Sequence, residues 1–390
     1  MISWRLWPVA VGLWLSLNAS VNVYADPLDN WTLRRTNSAE TLLEITYANG
    51  TFVAVGYKGV ILTSPDGKEW TQRNSGVSND LRRIKFCRDK FYALTGGDIA
   101  LTSKDGVIWS ATNTVVAGWG SLTTILWTND LFVAAVSAQS IRTSTDCVTW
   151  TTRFSTDQPY VLDVIFAGGI YVATGGFNIL ASADGVNWTN VAHPMAPGSF
   201  LRVTYGRNTF VIVAYFGGSA PSVIMTSTNG QDWTMRDANA DYELDNIIFA
   251  NGRFVAVGGR GNIVTSEDAV NWTERNSGTG QAMAGVTYGR GTVVAVGPLG
   301  LILQSDHFGP PFLTGRVGTE RDTFEISVES ESGSNFALQS SSDGANWSDT
   351  AGFTNAPSVV TVVESSAADS PHRFYRTISK PPPSGPFGSP

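Results

Sequence analysis

The stretch "SPDGKEW" at residues 64–70 decides how this chain is read, because it recurs. "SKDGVIW" follows at 103–109, "STDCVTW" at 144–150, "SADGVNW" at 182–188, "STNGQDW" at 227–233 and "SEDAVNW" at 266–272. A further copy, "SSDGANW", stands at 341–347. The opening serines, Ser64, Ser103, Ser144, Ser182, Ser227, Ser266 and Ser305, are spaced 39, 41, 38, 45, 39 and 39 residues apart. A fixed period of this size marks an array of supersecondary units. It accommodates four strands per unit at the usual length of about five or six residues.

Each unit opens on a stretch that alternates in the manner of a strand: "LLEITYA", "LRRIKFC", "LTTILWT", "VLDVIFA", "FLRVTYG", "LDNIIFA" and "MAGVTYG". A turn follows, Asn49-Gly50 and Asn251-Gly252 being strong hairpin signals. A second strand ("TFVAVG", "RFVAVG") and a third ("GVILTS", "GNIVTS") lead into the Ser-Asp-Gly turn and a fourth strand at the Trp. Consecutive hairpins without a helical period predict radially arranged antiparallel blades. The ends fix the closure. The seventh unit stops at "LILQSD" without a Trp strand, while "NWTLRRTNS" near the start mirrors "EWTQRNS" and "NWTERNS". Trp31 is therefore expected on the outer strand of the last blade, which leaves no open edge between first and last blades. The predicted fold is all-β, a seven-bladed β-propeller closed by its N-terminal strand and followed by a small β-sandwich-like domain.

The repeated turn needs no substrate to explain it. Asp66, Asp105, Asp146, Asp184 and Asp268, with Asn229 in the fifth copy, each offer an oxygen to turn N–H groups. Gly67, Gly106, Gly185 and Gly230 permit positive φ; Cys147 and Ala269 stand at the same place in the other two copies. Trp70, Trp109, Trp150, Trp188, Trp233 and Trp272 are expected to pack between sheets while each indole N–H finds a partner. Asn in place of Asp keeps the acceptor but would abolish a catalytic carboxylate, so the motif reads as structural.

Composition limits the function. The 390 residues are 42% hydrophobic and 15% charged, enough for a large core, with a net charge of −7 and no basic cluster. That argues against nucleic acid or anionic membrane as partner. Three scattered histidines, His193, His307 and His372, and no paired Cys or His motif give no zinc site, and no cofactor is expected. Residues 1–25 combine Arg5, an apolar run and Val23-Tyr24-Ala25, the pattern of a cleaved secretory signal. The mature chain is then secreted, periplasmic or at the cell surface, without stable membrane insertion, and a monomer is expected. Cys87 and Cys147 occupy positions where the repeat prefers small residues and read as buried thiols, with pairing left open. The propeller is assigned to 27–308, the small β module to 309–379, and a proline-rich unstructured tail to 380–390.

The Ser-Asp-Gly-Trp turns resemble the Asp-box, or BNR, repeat of sialidase-type propellers. Their forty-residue, sevenfold form is more similar to the photosystem II assembly and stability factor type. "FALQSSSDGANW" and "RFYRTIS" resemble small β-sandwich modules of exported bacterial proteins. The resemblance implies that the turns lie on the periphery, away from a ligand face. The sialidase family's N-terminal arginine motif is absent, although Arg83 and Arg202 could mimic part of its arginine cluster.

Alternation within the first strands sends one aligned column toward the axis: Glu44, Arg83, Thr124, Asp163, Arg202, Asn246 and Gly285. It is either a mutually satisfied network in a water-filled channel or a recognition site for a polar ligand at a concave mouth. Loops on the same face add Tyr57, Lys58, Trp119, Tyr160, Tyr242 and Arg260, and blade five carries an insertion at 215–222. The expectation is a non-catalytic binding or scaffold surface for a protein or carbohydrate partner. Two alternatives remain: a glycoside hydrolase using Glu44 with Asp163 or the acids of "DYELD", and an assembly factor for a membrane complex.

Overall fold

The computed structural model describes residues 26–95, 99–113, 122–137, 139–155, 161–194, 199–215, 222–308, 312–317, 323–329, 334–341, 346, 348–356, 359–365 and 374–379. Seven four-stranded antiparallel sheets form the blades. Blade one comprises Leu42–Ala48, Thr51–Gly56, Ile61–Ser64 and Thr71–Arg73. Blades two to six begin at Leu81–Cys87, Leu122–Thr128, Asp163–Ala167, Ser199–Gly206 and Leu244–Ala250 and repeat the plan. Blade seven comprises Gly285–Gly289, Thr292–Val296 and Ile302–Ser305, and its fourth strand is Trp31–Arg34, with Trp31 opposite Ser305 and Arg34 opposite Ile302. The first strands touch in sequence and the seventh returns to the first, so the ring is closed.

The core is divided among the seven blade interfaces, each an apolar cluster drawn from two neighbours. Leu42, Ile45, Phe52 and Leu62 of blade one, for example, pack against Val294, Val296 and Ile302 of blade seven. Aromatics of the first strands lean over small residues that end the preceding blade's first strand. At Gly289 a Cβ would lie 2.3 Å from the Tyr47 ring, and at Gly206 it would lie 2.1 Å from Phe249. Cys87 is the corresponding residue beneath Trp127, which also carries the Arg88 guanidinium 4.6 Å above its ring. Both cysteines are free: Cys87 is buried and Cys147 half-buried. Burial pushes the Cys87 thiol up to about 12 and the Cys147 thiol up to about 11.

The repeated turns behave as their chemistry requires. Ser64 Oγ accepts the Gly67 N–H (2.8 Å), and Asp66 Oδ1 accepts those of Lys68 (2.9 Å) and Glu69 (3.3 Å). Asn229 Oδ1 accepts the Gln231 and Asp232 N–H groups at 2.9 Å, so the amide replaces the carboxylate without loss. The amides of Asn271 and Val270 hold the Asp268 carboxyl well below the usual carboxylate range. The indole N–H closes the turn on itself: Trp70 Nε1 donates to Gly67 O (2.9 Å) and Trp188 Nε1 to Gly185 O (2.9 Å). Trp31 repeats this with Leu28 O (2.9 Å), although no Ser-Asp turn precedes it. Among the described residues Trp150 Nε1 has no partner, the exception in the series.

Arginines of the fourth strands tie the outer edge inward. Arg73 Nε donates to Thr63 Oγ1, Arg153 to Thr143 Oγ1 and Arg275 to Thr265 Oγ1, at 2.8 to 2.9 Å. In the composite seventh blade Gln304 takes the Thr position. Its Oε1 accepts Arg34 Nε (2.8 Å), while its Nε2 donates to Thr292 Oγ1 (3.0 Å) and to Asp66 O of blade one (2.9 Å). Asp26 accepts bonds from Arg253 and Arg275, fastening the N-terminal segment to blade six.

Beyond the ring, Phe312–Val317, Thr323–Glu329 and Val359–Ser365 form one three-stranded sheet, and Ser348–Ala356, Ser334–Ser341 and Phe374–Ser379 a second. The signal segment, the tail and the turn glycine and Trp347 of the C-terminal copy lie outside the described residues.

Candidate functional site

A β-bulge at the start of each first strand shapes the mouth of the ring. Leu42 pairs with Gly56 and Glu44 with Val55, which leaves Leu43 as the extra residue; the same shift occurs at Arg82, Thr123, Leu201 and Asp245. In blade four the Leu162 N–H bonds Thr174 O while Asp163 also lies opposite Thr174, and Ala284 and Gly285 share Val296 in the same way. A bulge redirects a side chain without ending the pairing. Two consecutive residues of each blade therefore serve the axis, where alternation alone allows one.

The outer ring of bulged residues, Leu43, Arg82, Thr123, Leu162, Leu201, Asp245 and Ala284, lines a cavity of about 730 Å³. Tyr57, Thr95, Leu122 and Ser137 continue its wall, and Arg83 and Arg202 reach it from below. The inner ring closes the passage beneath. Glu44, Thr124, Asp163, Arg202 and Asn246 are all buried, so the site is a bowl with a floor instead of an open, water-filled channel.

Glu44 is the hub of that floor. Its Oε1 accepts Asn246 Nδ2 (3.2 Å), and its Oε2 lies 3.6 Å from Arg83 Nη1 and 3.8 Å from Arg202 Nη2. Side chains of blades one, two, five and six thus meet at one carboxylate. The two cation contacts are too long for hydrogen bonds, and Oε2 is buried without a hydrogen-bond partner. The network expected to satisfy itself therefore leaves one anionic oxygen unbonded. Both oxygens of Asp163 bond backbone: Oδ1 accepts Val164 N–H (3.1 Å), Oδ2 accepts Val203 N–H (3.4 Å), and Lys85 Nζ lies 3.9 Å away. Each floor arginine donates from Nη1 to the carbonyl of the residue before it, Arg82 O and Leu201 O, at 2.9 Å. Burial and the neighbouring Arg202 charge pull Arg83 down to about 10, which still leaves it a cation at neutral pH. Burial and the adjacent Glu243 push the Asp245 carboxyl up to about 6, against the attraction of Arg202.

Among the loop residues, Tyr57 lines the bowl, but Lys58 pairs with Glu40 at 3.0 Å and Arg260 lies 4.8 Å over the Tyr242 ring. Lys58 and Arg260 both sit at φ 52° in equivalent turns between second and third strands, an arrangement repeated at Leu299 in blade seven. Trp119, Tyr160 and residues 216–221 lie outside the described residues. The outer ring of the bowl was missed by alternation alone; the doubled polar and apolar pairs Leu43-Glu44, Arg82-Arg83 and Asp245-Asn246 were its signal. Among the described residues no group of three or more His, Cys, Asp or Glu side chains is placed to hold a metal ion.

No protein-family model and no curated protein sequence matches the chain. Solved structures do. The WD40 β-propeller domain of Doa1 aligns with a TM-score of 0.56 at 8% identity, over 71% of this chain and 97% of that one. A chain of the mitotic checkpoint complex aligns at 0.57 and 8% identity, over 74% and 98%. The extracellular domain of a hybrid two-component system from B. thetaiotaomicron aligns at 0.57 and 10% identity, over 91% of this chain and 60% of that one. At such identities these likenesses speak to architecture alone: the chain is a seven-bladed β-propeller.

Proposed function

We propose that the chain is an exported, non-catalytic Asp-box propeller that binds a protein or glycan partner at the bowl. The observation that carries this reading is the convergence of Arg83 and Arg202 on the floor of a concave site of about 730 Å³. A size of several hundred Å³ with a few convergent polar groups is characteristic of ligand sites. One structural neighbour is a chain of the mitotic checkpoint complex, a propeller that takes part in an assembly, which is compatible with a binding role here. A glycosidase would need two carboxylates facing the substrate. Glu44 and Asp163 are spent inside the floor, and among the described lining residues Asp245 is the single carboxylate.

The test is a screen of the purified chain against a glycan array and a panel of extracellular proteins, repeated with Arg83→Gln/Arg202→Gln. A partner should be lost by at least about tenfold in the variant, at unchanged circular dichroism. Undiminished binding would move the site off the bowl, and turnover on a glycoside panel would overturn the non-catalytic reading.

A further inference from the structure

We propose that the bowl receives the C-terminal end of a partner polypeptide, with its free carboxylate on Arg83 and Arg202 and its apolar last side chain between the mouth leucines. The inference rests on the binding role proposed above and names the chemistry of the partner.

The floor has donors to spare. A guanidinium carries five N–H groups, and each floor arginine donates one to a backbone carbonyl and none, within hydrogen-bond distance, to Glu44. The side chain of Arg202 is 10% exposed and that of Arg83 16%, and both line the bowl. Two like charges are held within reach of one oxygen, and a carboxylate arriving from above would both accept their N–H groups and offset their repulsion. The described wall and floor carry Arg82, Arg83 and Arg202 against Glu44, Asp163 and Asp245, so an anion is drawn by the two guanidiniums presented at the floor and not by the net charge of the site.

The charge the site takes is single. Glu44 lies beneath the arginines and Asp245 beside them, so the dianion of a phosphate monoester would meet twice the carboxylate repulsion of a planar monoanion that pairs with the same guanidiniums. The group behind that charge is apolar. Leu43, Leu162, Leu201 and Ala284 form most of the mouth ring, and a sugar pressed against them would leave hydroxyl groups unpaired. Polar capacity remains for a backbone: the Thr123 hydroxyl donates to Val161 O at 2.7 Å and keeps its lone pairs for an incoming N–H. An alkyl carboxylate shares the charge and the apolar chain but has no N–H to offer.

Pooled N-acetyl tetrapeptides ending in Leu, Val or Phe, made as free acids and as C-terminal amides, are equilibrated with the full chain by dialysis; decanoate is the third probe. The acids should be retained at least about tenfold better than the amides, and Arg83→Gln/Arg202→Gln should lose that retention. That variant strips Glu44 of its cations, so Leu162→Glu is the second variant. It sets a carboxylate at the mouth, leaves the floor in place and should also lose at least about tenfold at an unchanged melting temperature. Equal retention of acids and amides, or retention of neither, overturns the inference. Decanoate retained in place of the peptide acids overturns the peptide as occupant. A protein partner captured through the arginines while acids and amides bind alike would refute this inference and leave the binding role standing.

Discussion

Gln304 bears more of the ring closure than its position on a third strand suggests, and Gln304→Ala puts that to the test. The side chain is 1% exposed and makes three hydrogen bonds, to Arg34 Nε, Thr292 Oγ1 and Asp66 O. It therefore joins the N-terminal strand to blade seven and blade seven to the first turn of blade one. A neutral bond contributes about 1 kcal/mol net and one to a charged partner about 1.5–3. Arg34 can turn to water and Thr292 keeps its bond to Gly289 O, which leaves the Asp66 carbonyl to bear most of the desolvation. The expected cost is about 3 kcal/mol. Thr63→Ala is the matched control, because it removes one Arg bond at the same position of blade one, at about 1.5 kcal/mol. Hydrogen exchange reads the difference locally. In Gln304→Ala the amides of Trp31–Arg34 and Ile302–Ser305 should exchange about a hundredfold faster, at 1.36 kcal/mol per tenfold. Acceleration no greater than Thr63→Ala produces in its own blade would refute the assignment of closure to this side chain.

Three further outcomes are expected. Asp245→Asn should stabilise the chain above pH 6 and leave it unchanged relative to wild type below pH 4. The folded carboxyl, at about 6, binds protons that the unfolded one near 3.9 releases, so wild-type stability falls as pH rises through that window. The full shift corresponds to about 3 kcal/mol, and screening at the half-open mouth brings the expected gain to about 1–2; equal urea midpoints at pH 7.5 would contradict it. Gly67→Ala should cost about 2 kcal/mol more than Gly50→Ala, because both sit at positive φ but only at Gly67 would a Cβ strike Gln304 Nε2, 2.7 Å away. Equal melting temperatures would show that backbone strain alone matters there. Neither Cys87 nor Cys147 should react with iodoacetamide at pH 8 in the folded chain, since burial holds both thiols protonated; rapid labelling before denaturant is added would place a thiol at the surface.

The architecture was legible because each blade states it again. A spacing near forty residues, a hairpin signal and a Ser-Asp-Gly turn specify one sheet, and seven copies with a displaced Trp31 leave one way to close the ring. Local chemistry explains why the turns could be read from sequence: Ser, Asp and Trp bond within seven residues of one another, and no distant contact has to be known. Gln304 could not be read in the same way. In sequence it is a polar residue where Thr is usual, and its value comes from Arg34 and Asp66, brought to it only when the ends of the chain meet.

The site follows the same division between local and assembled. Alternation correctly aimed Glu44, Arg83, Asp163, Arg202 and Asn246 inward, but it assumed an unbroken period of two, and the bulge breaks that period one residue earlier in every blade. Once two residues per blade face the axis, the inner ring has too little room to remain a lined channel and packs into a floor. The outer ring then inherits the surface a ligand would meet. The bulge is itself encoded. Asn246 Oδ1 accepts the Ile247 N–H at 2.9 Å and Asp163 Oδ1 accepts that of Val164 at 3.1 Å, so residues first singled out as ligand contacts serve the backbone beside the kink. Glu44 Oε2 and Thr124 Oγ1 are unbonded but sealed in the floor, and of the predicted column Arg83 and Arg202 are the members that line the bowl.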